Sequence, residues 1–322
     1  MSEKGQKGQK GQAADEALDD EFSVEQLARM RELVRRYLVT DGSAFRLADH
    51  DPADTGGLSS DGKKDAKTLL RAGVAWLARE QEMLYAQDDW SLLVIFQAMD
   101  AAGKDSTIEH VMSGVNPQGC QVYSFKHPSA EELDHDYLWR YLQRLPERGR
   151  IGIFNRSYYE DVLVVRVHES LLRAQKLPKG LAGESIWRDR HEDIAATERH
   201  LARNGTAILK VFLNISPAEQ KRRLLQRLER PEKHWKWDSR DLVERGFWSD
   251  YMRAYEEAIR ATATPQAPWL VVPADHKWFA RLVVAAAIVD RLEAMDLAYP
   301  EVDDAKRAEI EAARKTLSAD DD

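Results

Sequence analysis

The chain has 322 residues, of which 43% are hydrophobic and 32% are charged, and its formal net charge is −8. This much apolar material excludes wholesale disorder and favours a globular protein, for which we expect one domain with extensions. The sequence has no apolar run of the ~20 residues that a membrane span needs and no secretion signal, so we expect a cytoplasmic protein without a membrane partner. The lone Cys120 excludes an internal disulfide framework.

Both ends of the chain are predicted to lie outside the core. Residues 1–20, which include the repeat KGQKGQKGQ, have few apolar side chains and are expected to form a disordered tail. Residues 21–88 are predicted to form a helical extension, with amphipathic helices at about 23–39 and 64–87. Residues 301–322 are strongly charged and are predicted to form a C-terminal tail.

Five short apolar runs between these ends indicate the strands of a buried sheet. Helical patterns separate the runs, and such alternation is typical of a parallel sheet that helices cover on both faces. We therefore predict an α/β core over residues 89–300. Ligands of such sheets bind at the carboxyl ends of the strands, near a switch in strand order. The predicted strands are residues 91–97, 120–125, 150–154, 206–213 and 268–272.

The most informative segment follows the first of these strands, where Gly103 and Lys104 precede a predicted helix. Such a loop turns backbone N–H groups and the positive helix end toward an anion, while the lysine spans two phosphates. The usual pattern G-x-x-x-x-G-K-[ST] is altered twice, because Ala98 replaces the first glycine and Asp105 replaces the hydroxyl residue. Ser106 or Thr107, one or two places later, could supply that hydroxyl. The alternative is an ordinary turn with a solvated lysine, but strand, glycine-lysine pair and helix together favour a phosphate chain as the ligand.

A second polar group follows the third predicted strand. Arg156 offers a rigid guanidinium fork, which matches phosphate oxygens better than it fits a core. Phosphate-loop enzymes often hold magnesium with an acid at this strand end, but Asn155 is neutral. Magnesium binding is therefore predicted for nearby acids, with helix capping as their alternative role. These acids are Asp100, Glu160 and Asp161.

Basic residues are concentrated in two later stretches. Lys126 follows the second strand, and Arg140 and Arg144 lie four residues apart in the helix predicted after it, so both could point at one elongated anion. Residues 217–250 are predicted to form a helical lid that Pro231 interrupts, with cations that close over phosphates. In each stretch the alternative is a solvated charged face. The lid cations are Arg223, Arg227, Arg230, Lys233 and Lys236.

Five motifs, M-D-A-A-G-K-D, G-V-N-P-Q-G, S-F-K-H-P, F-N-R-S-Y-Y-E-D-V-L-V-V-R-V-H and P-E-K-H-W-K, occur in this order. With them the chain resembles the type-2 polyphosphate kinases from about residue 60 to 295. The resemblance implies a three-layer α/β/α P-loop kinase fold like that of thymidylate kinase, with a five-stranded parallel sheet and a helical lid. It also implies reversible phosphoryl transfer from inorganic polyphosphate to AMP and ADP, giving ADP and ATP, with Mg²⁺ or Mn²⁺. The asparagine form of F-N-R-S resembles the class that acts on both acceptors.

The resemblance also implies roles for individual residues. Catalysis is expected from Asp100, Lys104, Arg156 and Glu160, and the two basic stretches are expected to bind polyphosphate. A homo-oligomer, either a dimer or a tetramer, is expected, and nucleic acid is not expected as a partner. Contacts to phosphate or nucleotide are expected from Ala101, Ala102, Gly103, Lys104, Asp105, Ser106, Asn155 and Arg156.

Two other functions fit parts of the pattern. An ATP-dependent nucleoside monophosphate kinase would use the same loop and lid, but a donor of three phosphates needs fewer cations than the two basic stretches provide. A nucleotide-binding regulatory protein without turnover would leave the acids and the lid without a task. The basic residues thus favour the longer anion as donor.

Overall fold

The computed structural model describes residues 24–58, 63–178 and 180–319. The predicted disordered tail, residues 1–20, lies outside the described part of the chain. Within the described residues, no helix is both long enough and apolar enough to span a membrane.

A mixed sheet of six strands forms the centre of the described structure, in the order β1-β6-β5-β2-β4-β3. Strands β2 to β6 run parallel to one another, whereas β1 pairs antiparallel with β6. The α/β prediction is confirmed, but the five-stranded, fully parallel sheet is wrong, because β1 has only two residues and leaves no alternating pattern to detect. The strands are β1 Leu38–Val39, β2 Ser91–Gln97, β3 Cys120–Ser124, β4 Ile151–Asn155, β5 Thr206–Asn214 and β6 Trp269–Pro273.

The five predicted strands agree with β2 to β6 to within about one residue at each end. Four of them, β2, β4, β5 and β6, are fully buried, whereas β3 at the edge of the sheet is partly exposed. The first predicted helix, residues 23–39, is too long, since the chain leaves the helix at Arg35 to form β1. The helices are α1 Val24–Arg35, α2 Lys63–Gln87, α3 Lys104–Val111, α4 Ala130–Leu133, α5 Trp139–Leu142, α6 Val164–Val167, α7 Glu169–Ala174, α8 Ile186–Arg203, α9 Pro217–Glu229, α10 Arg240–Gly246, α11 Trp248–Thr262, α12 Lys277–Glu293 and α13 Asp304–Ala319.

Two groups of helices cover the sheet. Helix α12 packs against α1, α2 and α3, and α11 packs against α6 and α8. All side chains of β2, β4 and β5 are buried, so helices must cover both faces of these central strands. The predicted C-terminal tail forms α13, whose side chains are all exposed over its described length.

Strand β2 lies between β4 and β5, and this arrangement decides where a ligand can bind. The chain leaves β2 toward β3 on one side and later returns to β5 on the other, which makes the carboxyl end of β2 the switch point. The backbone N–H of Arg156 donates to the carbonyl oxygen of Phe96 at 3.0 Å, so the segments after β4 and β2 adjoin there.

Candidate active site

The loop between β2 and α3 carries two left-handed residues. Ala101 has a φ of 64° and Gly103 a φ of 105°. A side chain at Gly103 would be strained, and its Cβ would come within 3.5 Å of the Arg223 guanidinium. The first N–H groups of α3 have no partner within that helix, and such a helix start is a common place for an anion to bind. The backbone therefore has the form that the sequence pattern predicts for anion binding.

Lys104, the first residue of α3, folds back over this loop. Its side chain is buried, and Nζ donates to the carbonyl oxygen of Ala98 at 2.7 Å. Burial lowers the pKa of Lys104, and the charge of Arg156 lowers it further, whereas Asp100 and Glu160 raise it. An ammonium group has three N–H donors, and only one has an acceptor among the described residues. Two donors are thus available to phosphate oxygens.

Arg156 brings the predicted catalytic acids together. It has a φ of 67°, which is uncommon for a residue other than glycine, and this turns its side chain back over the loop end. Its Nη2 lies 3.2 Å from Oδ1 of Asp100, and its Nη1 lies 3.4 Å from Oε2 of Glu160. The charge of Glu160 raises the pKa of Arg156, so the guanidinium stays charged. Asp100, Lys104, Arg156 and Glu160 form one cluster, as the sequence predicted.

Asn155 and Asp105 form a second contact between strand end and loop. Asn155 Nδ2 donates to Oδ1 of Asp105 at 2.7 Å, so two of the three departures from the usual motifs are bonded to each other. Ser106 Oγ donates to the carbonyl oxygen of Gly103 at 3.1 Å. Of the two hydroxyls predicted as replacements, that of Ser106 is therefore used within the loop itself.

Asp161 does not share the position of the other two acids. Its side chain is buried and accepts a hydrogen bond from Gln175 Nε2 at 2.6 Å, while Arg190 Nη1 donates to its backbone oxygen at 2.8 Å. Burial raises the pKa of Asp161 to about 7, against the effect of Arg190. This carboxyl group is thus engaged inside the protein, and the metal role that the sequence predicts for Asp161 stays a prediction.

Arg223 was predicted as a polyphosphate-binding lid residue, and the structure gives it another task. Its Nη1 donates to the carbonyl oxygens of Ala102 at 2.5 Å and Ala101 at 3.3 Å, and its Nη2 donates to those of Ala274 at 2.5 Å and Asp275 at 3.1 Å. Its Nε also donates to Glu219 at 2.6 Å. With so many protein acceptors, the buried Arg223 joins the loop to the segment that follows β6.

The predicted lid, residues 217–250, therefore has two different halves. Gln220 in α9 donates to the carbonyl oxygen of Asp100 at 3.1 Å, so the start of α9 is fixed to the loop. Sequence reasoning missed this glutamine, because an amide in a basic helix gives no signal. Arg227 pairs with Asp241 of α10 at 2.9 Å. The other predicted cations, Arg230, Lys233 and Lys236, form no ion pair with described residues and lie at or near the surface.

The other basic stretch lies along strand β3. Arg140 stands 5.5 Å above the Phe125 ring, and Arg144 stands 5.5 Å above the Tyr123 ring. Helix α5 ends at Leu142, so the expectation that one helix holds both arginines is wrong. The aromatic side chains align them instead, and Arg140 also donates to the carbonyl oxygen of the exposed Lys126 at 2.9 Å.

Helix α11 adds two aromatic residues that the sequence did not reveal. Burial raises the pKa of Tyr255, and the charge of Glu160 raises it further. Tyr251 donates to Glu244 at 2.5 Å and also lies within the electrostatic range of Glu160. Residues four apart on an apolar helix face are typical of a core, so nothing in the pattern distinguished them.

A buried ion pair supports the turn that carries Arg156 and Glu160. Lys210 Nζ lies 2.6 Å from Glu198 Oε2 and donates to the carbonyl oxygen of Thr262 at 2.7 Å. Tyr158 and Tyr159 donate from their hydroxyls to Glu198 Oε1 at 3.0 and 2.9 Å. Burial raises the pKa of Glu198, while Lys210 and the two hydroxyls oppose that rise. No local pattern in the sequence indicates this cluster.

The site has few acids for a metal ion. No group of three or more histidine, cysteine, aspartate or glutamate side chains could hold a metal among the described residues. Asp100 and Glu160, which are both partly exposed and border Arg156, offer hard oxygen donors. Mg²⁺ commonly takes only one or two carboxylates and completes its shell with water and substrate phosphates, so this donor set fits it.

The protein has a phosphate-type loop at the carboxyl edge of its sheet, with a lysine and an arginine beside it. These features define its class as an α/β enzyme that handles phosphate groups. Residues 59–300 match the family described as Polyphosphate kinase 2 (PPK2). The chain therefore belongs to the polyphosphate kinase 2 family.

Curated relatives and a solved structure agree with this assignment. The chain is 48% identical over 280 residues to an ADP-polyphosphate phosphotransferase of Rhodopseudomonas palustris, covering 85% of this chain and 97% of the relative. It is 44% identical over 268 residues to an AMP/ADP-polyphosphate phosphotransferase of Meiothermus ruber, covering 83% and 96%. The crystal structure of Polyphosphate Kinase 2 from Arthrobacter aurescens TC1 matches with a TM-score of 0.76 and 44% identity, over 84% of this chain and 94% of that one.

Proposed function

We propose that this enzyme transfers the terminal phosphoryl group of inorganic polyphosphate to AMP and to ADP, giving ADP and ATP in a reversible reaction. The observation that carries the proposal is the cluster of Lys104, Arg156, Asp100 and Glu160 at the loop of the switch point. The family and the names of two relatives at 48% and 44% identity support polyphosphate as the donor. A P-loop kinase fold is the proposed finer description of the α/β architecture.

The reaction needs positioning and charge neutralisation more than covalent help from the protein. An oxygen of the acceptor's terminal phosphate forms a bond to the terminal phosphorus of polyphosphate. The bridging P–O bond breaks, and its electron pair remains on the shortened polyphosphate. The loop N–H groups and Lys104 would hold the donor phosphates, and Arg156 would neutralise charge on the transferred group. Asp100 would orient the attacking oxygen.

Magnesium, or manganese in its place, is a proposed cofactor. Asp100 and Glu160 would hold it together with phosphate oxygens, since their carboxylates are the partly exposed acids beside Arg156. Such an ion supplies charge neutralisation between neighbouring phosphates. Asp161 is left out of this proposal because its carboxyl group is buried and bonded to Gln175.

The range of acceptors is the finer part of the proposal. One relative is named for ADP alone and the other for both AMP and ADP. Asn155, which donates to Asp105 in this chain, belongs to the motif that resembles the class acting on both. The ATP-dependent monophosphate kinase is less favoured, because the family and the relatives' names point to polyphosphate.

The test is to incubate the purified protein with Mg²⁺, AMP and long-chain polyphosphate without ATP, and to follow the nucleotides by chromatography. We expect ADP first and then ATP. A folded Lys104→Ala variant serves as the control, and its turnover should fall by a factor on the order of 10² or more. ADP alone would restrict the acceptor to AMP. No transfer from polyphosphate, with transfer from added ATP, would overturn the proposal in favour of the monophosphate kinase.

A further inference from the structure

Gln97, the last residue of β2, carries a buried amide that the protein leaves unbonded. Its side chain is 0% exposed, and neither Oε1 nor Nε2 has a hydrogen-bond partner among the described residues. The residues before it, 92–96, are all apolar. A leucine would continue this run, whereas a buried amide without hydrogen bonds destabilises the folded state. The fold by itself therefore gives no reason for a glutamine at this position.

The sheet places Gln97 at the switch point, next to Arg156. On the β5 side, Gln97 pairs in register with Phe212. On the β4 side, Phe96 pairs with Asn155, so Gln97 lies beside the next residue along, Arg156. The backbone N–H of Arg156 donates to the carbonyl oxygen of Phe96 at 3.0 Å, which continues this pairing past the end of β4. Gln97 and Arg156 are thus neighbours at the carboxyl edge of the sheet.

The side chain of Gln97 projects to the face of the sheet that α8 and α11 cover. Side chains alternate along a strand, so Gln97 shares its face with Ile95 and with Lys210, the register partner of Ile95. Lys210 bonds to Glu198 of α8 and to the carbonyl oxygen of Thr262 of α11. The amide of Gln97 therefore lies between the end of β2 and these two helices.

The guanidinium of Arg156 crosses the end of β2 near this amide. It reaches from Asp100, in the loop after β2, to Glu160, in the turn after β4. Tyr159, the residue before Glu160, bonds to α8, so this turn lies on the same face as the Gln97 amide. Two of the five N–H donors of Arg156 have acceptors among the described residues. Three donors thus remain for other partners.

The contacts of Arg156 with its two acids are suited to exchange. The nitrogen–oxygen distances are 3.2 Å to Asp100 and 3.4 Å to Glu160, which are longer than the ~2.7–2.9 Å of a strong charge-assisted hydrogen bond. The side chain of Arg156 is also 40% exposed. The guanidinium can therefore turn from these acids to a phosphate group at small cost, and Gln97 lies beside it when it does.

We propose that Gln97 is a positioning residue, whose Oε1 accepts a hydrogen bond from Arg156 when the guanidinium turns to the transferred phosphoryl group. This inference rests on the proposed function, in which Arg156 neutralises charge on that group. One N–H of Arg156 donates to Gln97, and the others remain for phosphate oxygens. The bond fixes the direction of the guanidinium fork, which raises the rate because transfer depends on alignment.

Tyr255 of α11 is the other group that could bond to the amide. Its ring stacks on Phe212, the register partner of Gln97, with 4.2 Å between the ring centroids. Its hydroxyl is a neutral donor, whereas Arg156 is charged and has three donors without acceptors among the described residues. Hydrogen bonds from charged donors are stronger, so Arg156 is the favoured partner.

The experiment compares Gln97→Met with the wild-type enzyme, using ADP and long-chain polyphosphate at fixed free Mg²⁺. Methionine has a similar shape but offers no strong acceptor, so kcat should fall about tenfold through the loss of one charge-assisted hydrogen bond. The KM values should change less than about twofold, because the bond forms during transfer. The melting temperature should not fall, since an unbonded buried amide is removed. Gln97→Glu, which keeps an acceptor oxygen, should restore most of the turnover.

Combined variants identify the partner of Gln97. In an Arg156→Lys background the guanidinium fork is absent, so adding Gln97→Met should lower kcat by less than about twofold. In a Tyr255→Phe background the same change should still lower kcat about tenfold. An undiminished effect in the Arg156→Lys background would overturn the proposal, because Gln97 would then act independently of Arg156. A loss of the effect in the Tyr255→Phe background alone would assign the amide to the tyrosine and also overturn it.

The matched control is Gln81→Met. Gln81 of α2 is 2% exposed, and its Oε1 also lacks a partner among the described residues. Its amide packs against Gly119, just before β3 begins, so it lies at the opposite edge of the sheet from the loop. This variant should leave kcat unchanged. An equal fall of kcat in Gln81→Met and Gln97→Met would count against the proposal, since the change of any buried amide would then suffice.

Three other results would contradict the positioning role. They are an unchanged kcat in Gln97→Met, a Gln97→Glu variant as slow as Gln97→Met, and a Gln97→Met variant that melts well below the wild type or does not fold, because the fold itself would then need the amide. If the wild type transfers nothing from polyphosphate, the proposed function fails. The same variants are then compared with ATP as donor and AMP as acceptor, because Arg156 would contact the transferred group of either donor.

Discussion

Two clusters of paired acids and cations adjoin the turn after β4. They differ in how fully protein groups fill the hydrogen-bonding positions of their charged side chains. Around Lys210 and Glu198 every partner belongs to the protein, and both side chains are at most 2% exposed. Around Arg156 the contacts to Asp100 and Glu160 are longer, at 3.2 and 3.4 Å, and the arginine side chain is 40% exposed. The first cluster orders the turn, whereas the second keeps charge available to a ligand.

The comparison shows that the presence of charge does not by itself mark a catalytic group. The buried ion pair does not contact the ligand site. It acts through Tyr158 and Tyr159, whose hydroxyls bond to Glu198 and hold the turn in place. A partly exposed cluster can exchange its partners for substrate at little cost. Removing charge from the first cluster should therefore affect folding, and removing it from the second should affect turnover.

The largest effect is expected for Lys210→Met. The change leaves Glu198 buried without its counter-charge, so the free energy of unfolding should fall by about 3–5 kcal/mol. Urea denaturation measures this loss. Lys315→Met, at an exposed position of α13, is the control and should change stability by less than about 0.5 kcal/mol. A loss for Lys210→Met no larger than that of the control would show that the pair does not stabilise the fold.

His191 is a buried ionisable residue without an acidic partner, so it tests what burial of such a group does to stability. It lies buried in α8, its Nε2 has no hydrogen-bond partner among the described residues, and burial with the charge of Arg166 lowers its pKa from 6.5 to about 4. The unfolded chain binds this proton near pH 6.5, whereas the folded chain does not until about pH 4. The contribution of His191 to the free energy of unfolding is thus fully present above pH 6.5. It is lost as the pH falls toward 4, and the total loss is about 3 kcal/mol.

His191→Gln should reduce the loss of stability that occurs as the pH falls. Urea midpoints measured at neutral pH and near the lower pKa would show a smaller difference in the variant than in the wild type. The exposed His200 of the same helix offers the control His200→Gln, which should keep the wild-type slope. An unaltered slope in His191→Gln would assign the acid sensitivity to other groups.

Arg156→Lys should lower turnover by a factor on the order of 10², which corresponds to about 2.7 kcal/mol, while stability changes little. Lysine keeps the charge but loses the fork that contacts Asp100 and Glu160 together. The measurements are kcat with polyphosphate and the melting temperature. Arg199→Lys, an exposed change in α8, should leave both unchanged. A large fall in melting temperature would instead place Arg156 with the structural cluster.

The smallest effect is expected for Asp161→Asn. Because the carboxyl group is buried and accepts from Gln175, an amide oxygen can take the same hydrogen bond, and kcat should stay within about threefold of wild type. The concentration of Mg²⁺ that half-saturates the enzyme should not change. Asp100→Asn, at the partly exposed acid, should raise that concentration. If Asp161→Asn raised it as much, the metal role predicted for Asp161 from the sequence would be supported.

Much of the fold was predictable because its signals are local. Strands β2 to β6 are apolar runs between turn residues, and the loop before Lys104 is a contiguous pattern of backbone and side-chain types. The grouping of Lys104 and Arg156 followed from the rule that parallel strands end at one edge of the sheet. Strand β1 was missed because two residues cannot show a period.

Site residues that depend on long-range contacts were not predictable in the same way. Arg223 looked like a lid cation, and only the packing of α9 against the loop showed that its donors are taken by carbonyl oxygens. Asp161 and Glu160 are adjacent in the chain, yet one faces the interior and the other faces Arg156. In a turn, neighbouring side chains point in different directions, which composition cannot reveal.

The sequence by itself determined the class of fold, the phosphate-type loop and the family, because these rest on local periodicity and on contiguous motifs. Only the tertiary structure decided which charges are available to a ligand. Lys210, Arg223 and Lys277 are alike as cations in the sequence, yet one is paired in the core, one is bonded to backbone and one is left without a partner among the described residues. The difference arises because desolvation and hydrogen bonding depend on neighbours that are distant along the chain.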